Sequence, residues 1–128
     1  DYVITAEELA AGKRFDDVIV HKAEFIVDIH NPAGAGQAES KIQYVKPYDL
    51  PYRCFVPRHI ENLYVAGRCI SGTHRAHASY RVMSICMAMG EAVGIAASLC
   101  AKKKCTPRTL DVHELQNCMT SKGIDLFS

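Results

Sequence analysis

The hydrophobic pattern changes its period along the chain, and each period predicts an element. Residues 5–12 read as a short helix. Thr5 and Glu8 make a capping box, Ile4 and Leu9 a hydrophobic staple, and Gly12 a stop. Residues 17–29 (DVIVHKAEFIVDI) are rich in β-branched and aromatic residues and too long for one strand, which predicts two strands meeting around residues 21–24. NPAGAGQAES follows as a loop, with Gly34-Ala35-Gly36 as a flexible turn. Residues 41–46 set Ile42, Tyr44 and Lys46 against Lys41, Gln43 and Val45, the alternation of a half-buried strand ending at Pro47. LPYRCFVP is expected to be extended, because residues before proline avoid the α region. Residues 62–66 (NLYVA) form a short apolar run stopped by Gly67, a buried strand entering a tight turn.

Two helices close the pattern. Residues 82–101 contain no proline and almost no polar face, so this helix is expected to be buried on most sides. Along it Cys86, Gly90, Gly94 and Ser98 recur every four residues, a ridge that lets a backbone or a flat cofactor come close. Lys102, Lys103 and Lys104 then meet the negative end of the helix dipole. The last helix, residues 111–122, has Asp111 as N-cap and Glu114 at N3. Leu110 and Leu115 are its staple, Gly123 its stop, and Ile124 packs back on Met119.

Composition narrows the class. With 48% apolar and 23% charged residues the chain has ordinary globular composition, which excludes disorder. Its net charge of +1 argues against a general nucleic-acid or membrane coat, yet residues 53–81 hold five arginines and three histidines against the single acid Glu61. That segment attracts anions. The six cysteines form no CxxC pair and fall within apolar patterns, so they read as reduced structural thiols, and a cytoplasmic location follows. His74 and His77 have no carboxylate beside them and no third ligand, so no metal site is expected. Residues 82–101 carry one acid, Glu91, which costs about 2.5–3.5 kcal/mol at a bilayer centre, and few Leu, Ile or Phe offset it. No membrane span is expected.

A buried strand, the Gly67 turn, a basic polar loop from Arg68 to Arg81 and a small-residue helix from Val82 follow one another. That order places free backbone N–H groups at the mouth of the loop, where they suit a negative partner. On spacing alone, the same pattern also suits any α/β core with solvated arginines. His74 or His77 suits proton transfer or a substrate carboxylate, and His30, Tyr52 and Arg53 are further candidates for the substrate side.

The wording of the stretch is more specific. PYRCFVP…IENLYVAGRCISGTHRAHASYRVMSICMAMGEAVGIAA…PRTLDVHELQ, with GKRFDDVIVHKAEFIVDIHNPAG upstream, resembles the C-terminal region of the FAD-dependent oxidoreductase family. More distantly it is similar to the fumarate reductase and succinate dehydrogenase flavoproteins, within the same superfamily as glutathione reductase. The resemblance implies FAD as cofactor, a small-molecule substrate, and an α+β (α/β) fragment of a two-domain flavoprotein. Residues 1–57 would be part of an antiparallel-sheet substrate domain. Residues 58–104 would be the last strand, loop and helix of an FAD-binding Rossmann-like domain, and residues 105–128 a C-terminal helix and tail.

By position it implies flavin contacts from Gly67, Arg68, Arg81, Val82, Met83 and Ser84, and a catalytic role for His74. Arg68 stands where that distant group has an acid. No GxGxxG with a downstream acid occurs in the chain, so the ADP half of FAD would be held by an N-terminal portion of the parent protein, and FAD binding by this piece alone would be weak or absent. Such a piece would expose apolar surface and self-associate. The competing readings are a stand-alone anion- or nucleic-acid-binding module and a structural domain without catalysis.

Overall fold

The computed structural model describes residues 1–30, 33–34 and 44–128. Most of the expected loop after Ile29, and residues 41–43 of the expected strand, lie outside them. The fold mixes helix and strand. α1 (Ala6–Ala11) starts where its cap predicts: Thr5 accepts from Glu8 N–H, the Glu8 side chain reaches back to Thr5 N–H, and Gly12 closes the helix at φ +66°. β1 (Val18–Ala23) pairs antiparallel with β2 (Tyr48–Pro51), matching Val18 with Pro51, Val20 with Leu50 and Ala23 with Tyr48. The register shifts between these pairs and Lys22 turns to φ +52°, yet β1 continues through the expected junction to Ala23, and the second strand expected over residues 24–29 does not form. Beyond β1, Val27 and His30 form only single-residue bridges.

The strands depart from expectation. Residues 44–47 are irregular, and pairing begins only at Tyr48, after Pro47. LPYRCFVP divides between β2 and a 3₁₀ turn, Tyr52–Phe55, and is not extended throughout. Residues 62–66 run in non-helical backbone without joining the sheet. Val65 N–H donates to Phe55 C=O at 3.0 Å, and the segment is only half buried at Tyr64, Val65 and Ala66. An apolar run predicts burial but does not supply a strand partner.

Three helices follow. α2 (His74–Tyr80) occupies the stretch expected to be a polar loop, capped by Thr73, whose hydroxyl accepts from Ala76 N–H. α3 (Met83–Lys103) lays Ile85, Met89, Ala92, Ala96 and Cys100 into the core, the i, i+4, i+7 spacing of one helical face. Only that stripe is fully buried: Met83 is 81% and Met87 74% exposed, and Gly90, Gly94 and Ser98 also face outward. The expectation of burial on most sides is corrected accordingly. By length and composition α3 is apolar enough to cross a membrane, with a mean hydropathy of 1.6. α4 (Val112–Ser121) is capped by Asp111 and ends in the expected glycine stop: Gly123 lies at φ +87° and Ile124 N–H returns to Met119 C=O at 3.2 Å. Glu114 pairs with Lys103 of α3 and so does not close a capping box.

One contiguous core gathers Leu9, Tyr48, Leu50, Phe55, Met89, Leu115 and Met119, all essentially inaccessible. Gln116 ties α4 to the sheet side, its amide donating to Asp16 C=O at 2.7 Å and Val18 C=O at 3.0 Å. Buried Asp49 is balanced by Arg14 at 2.7 Å and His21 at 2.8 Å, the arrangement an interior carboxylate requires. Ile4 makes a parallel bridge to Gly72: its N–H donates to Ser71 C=O at 3.1 Å, and its C=O accepts from Thr73 N–H at 2.9 Å. This bridge fixes the segment that leads into α2.

Candidate functional site

The site is assembled from the Gly67 turn, α2 and the start of α3. Gly67 lies at φ +82°, a conformation that glycine adopts without the steric cost a Cβ would bring. Its N–H approaches Met89 Sδ at 3.2 Å, so the turn packs directly on α3. The chain then makes a 3₁₀ turn, Gly67–Cys69, that leaves Arg68 exposed. It reaches Thr73 by way of Ser71, whose N–H donates to Cys54 C=O at 3.1 Å.

α2 and α3 are joined by two residues. Arg81 ends α2 in helical backbone (φ −75°, ψ −6°), and Val82 turns extended (φ −72°, ψ 153°) before α3 begins. Val82 gives α3 no side-chain cap, and the first helical hydrogen bond runs from Cys86 N–H to Val82 C=O. Among the described residues, the N–H groups of Met83, Ser84 and Ile85 therefore have no partner. Met83 and Ser84 are exposed, so this partly positive helix end is open at the surface.

Beside it lies a cavity of ≈ 220 Å³ between α2 and residues 28–30. His74, His77 and Arg81 recur at i, i+3 and i+7 and therefore share one face of α2, turned to this cavity, with Asp28 and His30 opposite. Two attachments hold the opposite wall. Ser79 of α2 donates to Phe25 C=O, and Asp28 N–H donates to Ala78 C=O at 3.5 Å. Arg81 Nη2 donates to Asp28 C=O at 3.0 Å and lies 3.5 Å from its carboxylate, which His30 Nε2 also approaches at 3.2 Å.

His77 stacks edge-on against Tyr80, with ring centroids 5.6 Å apart. Burial lowers its imidazole pKa from the ordinary 6.5, and the positive field of Arg81, His74 and Arg68 acts in the same direction. Burial also pushes the Tyr80 hydroxyl up to about 12. That hydroxyl donates to Ile70 C=O at 3.3 Å and props the turn above Gly72.

The residues expected from the sequence thus divide. Gly67, Val82, Met83 and Ser84 gather at the Gly67 turn and the α3 end, with Arg68 exposed on the turn. His74 and Arg81 line the cavity, as do His30 and His77. Tyr52 and Arg53 do not. Tyr52 is buried with its hydroxyl on Pro107 C=O at 2.6 Å, and Arg53 forms a two-pronged pair with Asp17 at 2.8 and 3.2 Å. Asp28 was not singled out from sequence. The signal available was its acid character near the end of a strand-rich run, which does not reveal an arginine partner 53 positions away.

The cysteines are free thiols, and burial raises Cys54 to about 12, so it stays protonated. Among the described residues, no group of three or more His, Cys, Asp or Glu is placed to hold a metal ion.

An open helix end thus lies next to a histidine-lined cavity on a mixed helix-and-strand scaffold. The chain belongs to the FAD dependent oxidoreductase family, whose model matches residues 1–119. No curated protein and no solved structure matches it.

Proposed function

We propose that this chain is the C-terminal part of an FAD-dependent oxidoreductase and supplies the segment that faces the flavin ring. The observation that carries the reading is the uncapped, exposed first turn of α3, presented beside the Gly67 turn in a chain of this family. When bound, FAD supplies the transfer of a hydride or electrons.

The residues present fit such a group. The backbone N–H groups of Val82, Met83 and Ser84 are the donors proposed for the flavin's N1 and C2 carbonyl edge, where negative charge builds on reduction. Exposed Arg68 is assigned to the ribityl or pyrophosphate portion. The positive φ of Gly67 brings its backbone against α3 and leaves room for a planar ring, since only Cys86 Sγ, at 3.9 Å, lies near where a Cβ would be. His74 is the proposed acid/base group on the substrate side. Arg81, expected on the flavin, is oriented by Asp28 toward the histidine cavity, and its proposed partner is therefore the substrate.

In this reading residues 58–104 close a Rossmann-like FAD domain, residues 1–57 belong to a substrate domain, and a partner segment N-terminal to this chain grips the ADP half. A cytoplasmic location accompanies it. The alternative, a nucleic-acid module on residues 53–81, is disfavoured by the pairing of Arg53 with Asp17 and of Arg81 with Asp28.

The test is retained flavin. The parent protein, purified without denaturant, should be yellow, and Ser84→Asp should lower its flavin occupancy at least about tenfold by placing an anion at the helix end. A colourless parent that takes up no FAD sinks the reading.

A further inference from the structure

The C-terminal end of α3 brings two thiols together. Lys104 turns left-handed at φ +54°, and the chain folds back so that the N–H groups of Lys104 and Cys105 both donate to Cys100 C=O, the latter at 3.1 Å. Such a helix stop sets the side chains on either side of the left-handed residue against each other. Here both are cysteines, and their thiols lie in hydrogen-bonding contact. A disulfide requires neighbouring backbone positions whose side chains point together. The backbone hydrogen bond supplies the first condition and the thiol contact the second.

The surroundings direct the protons. Pro107 C=O can only accept, so Tyr52 Oη donates to it at 2.6 Å. The close contact between the Tyr52 and Tyr64 hydroxyls then takes the Tyr64 proton, which leaves Tyr64 Oη to accept from the Cys100 thiol at 3.3 Å. The Cys100 proton is thus directed to Tyr64, and the lone pairs of its sulfur are left for Cys105. Both cysteines line a cavity of ≈ 470 Å³ together with Tyr64, which gives a small oxidant room to enter. Cys100 is buried, and burial raises its thiol above the ordinary value, so half-buried Cys105 is the sulfur placed to meet the oxidant first. Cys69 and Cys86 instead donate to backbone carbonyls.

We propose that Cys100 and Cys105 form a reversible oxidation site, which closes to a disulfide when a hydroperoxide, ROOH, enters this cavity. Cys105 Sγ first takes an oxygen from the peroxide. The S–O bond forms, the O–O bond breaks, and the thiol and ROOH become a sulfenic acid and ROH. Cys100 Sγ then displaces the hydroxyl of that sulfenic acid. The S–S bond forms, the S–O bond breaks, and the Cys100 proton leaves with the hydroxyl as water. The two thiols lose two electrons, and the peroxide takes them up. A dithiol reductant restores both thiols by exchange. The site stands apart from the flavin reading and does not depend on it.

The test treats the full 128-residue chain with an equimolar amount of hydrogen peroxide, blocks the remaining thiols with iodoacetamide and maps tryptic peptides by mass. Trypsin cuts after Arg81, Lys102, Lys104 and Arg108, so the disulfide joins residues 82–102 to residues 105–108. The expected result is this linked pair in at least about tenfold excess over any other cysteine pair, and its disappearance on treatment with dithiothreitol. Residues 82–102 also carry Cys86, so Cys100→Ser identifies the partner: it should abolish the link and leave Cys105 as a sulfenic acid that dimedone labels. Should that variant not fold, Cys105→Ser, at the half-buried position, should abolish the link as well.

In urea the excess should fall, because unfolding frees Cys54, Cys69, Cys86 and Cys118 to pair and removes the fixed contact between Cys100 and Cys105. Absence of the link, a link that survives Cys100→Ser, or an excess unchanged by urea overturns the proposal.

Discussion

His77 is the residue whose chemistry the fold alters most clearly within the histidine-lined cavity. Burial, with the positive field of nearby Arg81 and Arg68 behind it, disfavours its charged form, so the folded chain binds this proton less readily than the unfolded chain does. The sign follows from linkage. The stability His77 contributes is complete above 6.5, the ordinary value, and is lost as the pH falls below it through the lowered folded value. Its imidazole should titrate below 6.5 by NMR, and His77→Asn should reduce the fall in Tm between about pH 7 and pH 5. A midpoint at or above 6.5 would contradict this account. The HxxHxxxR spacing was present in the sequence, and a helical reading of residues 74–81 would have placed His77 and Arg81 on the face of His74. The helix is hard to see in the sequence because it is only seven residues long and its start signal, Thr73 before His74, is brief.

At the scale of elements, the turn into α2 depends on a missing side chain. A Cβ on Gly72 would stand 2.6 Å from Tyr80 Oη and 2.7 Å from Cε1, and Tyr80 is itself fully buried. Gly72→Ala should therefore destabilise the fold by about 1–3 kcal/mol, read from the midpoint of urea unfolding, with a loss below about 0.5 kcal/mol showing that the tyrosine yields. Helix boundaries were legible where they are written in adjacent residues: the Thr5–Glu8 box and the Gly123 stop both appear as expected. Strands were less legible because their partners are remote. β2 begins at Tyr48, beyond the strand expected over residues 41–46, whose described residues 44–46 are irregular, and residues 62–66 run alongside Phe55 through one backbone hydrogen bond without entering a ladder. The sequence expects Glu114 to cap its own helix end, and the fold gives it to Lys103 through the packing of α3 on α4.

At the scale of the whole molecule, α3 has two unlike sides. Its inner stripe completes the core, and its outer side presents Met83 and Met87 beside exposed Gly90 and Gly94. Such a face favours association, so the isolated chain should sediment as a concentration-dependent oligomer, and Met87→Lys should shift it toward monomer. Monodisperse monomer at all concentrations would count against it. The parallel bridge between Ile4 and residues 71–73 bears on a different property, the order of events during synthesis. Ile4 leaves the ribosome well before Thr73 is added, and at ~5–20 residues per second the interval is on the order of several seconds. Throughout it, the backbone groups of Ile4 lack their native partners and Leu9 lacks the walls of its pocket. The bridge that fixes the entry into α2 can therefore close only after residues 71–73 have emerged.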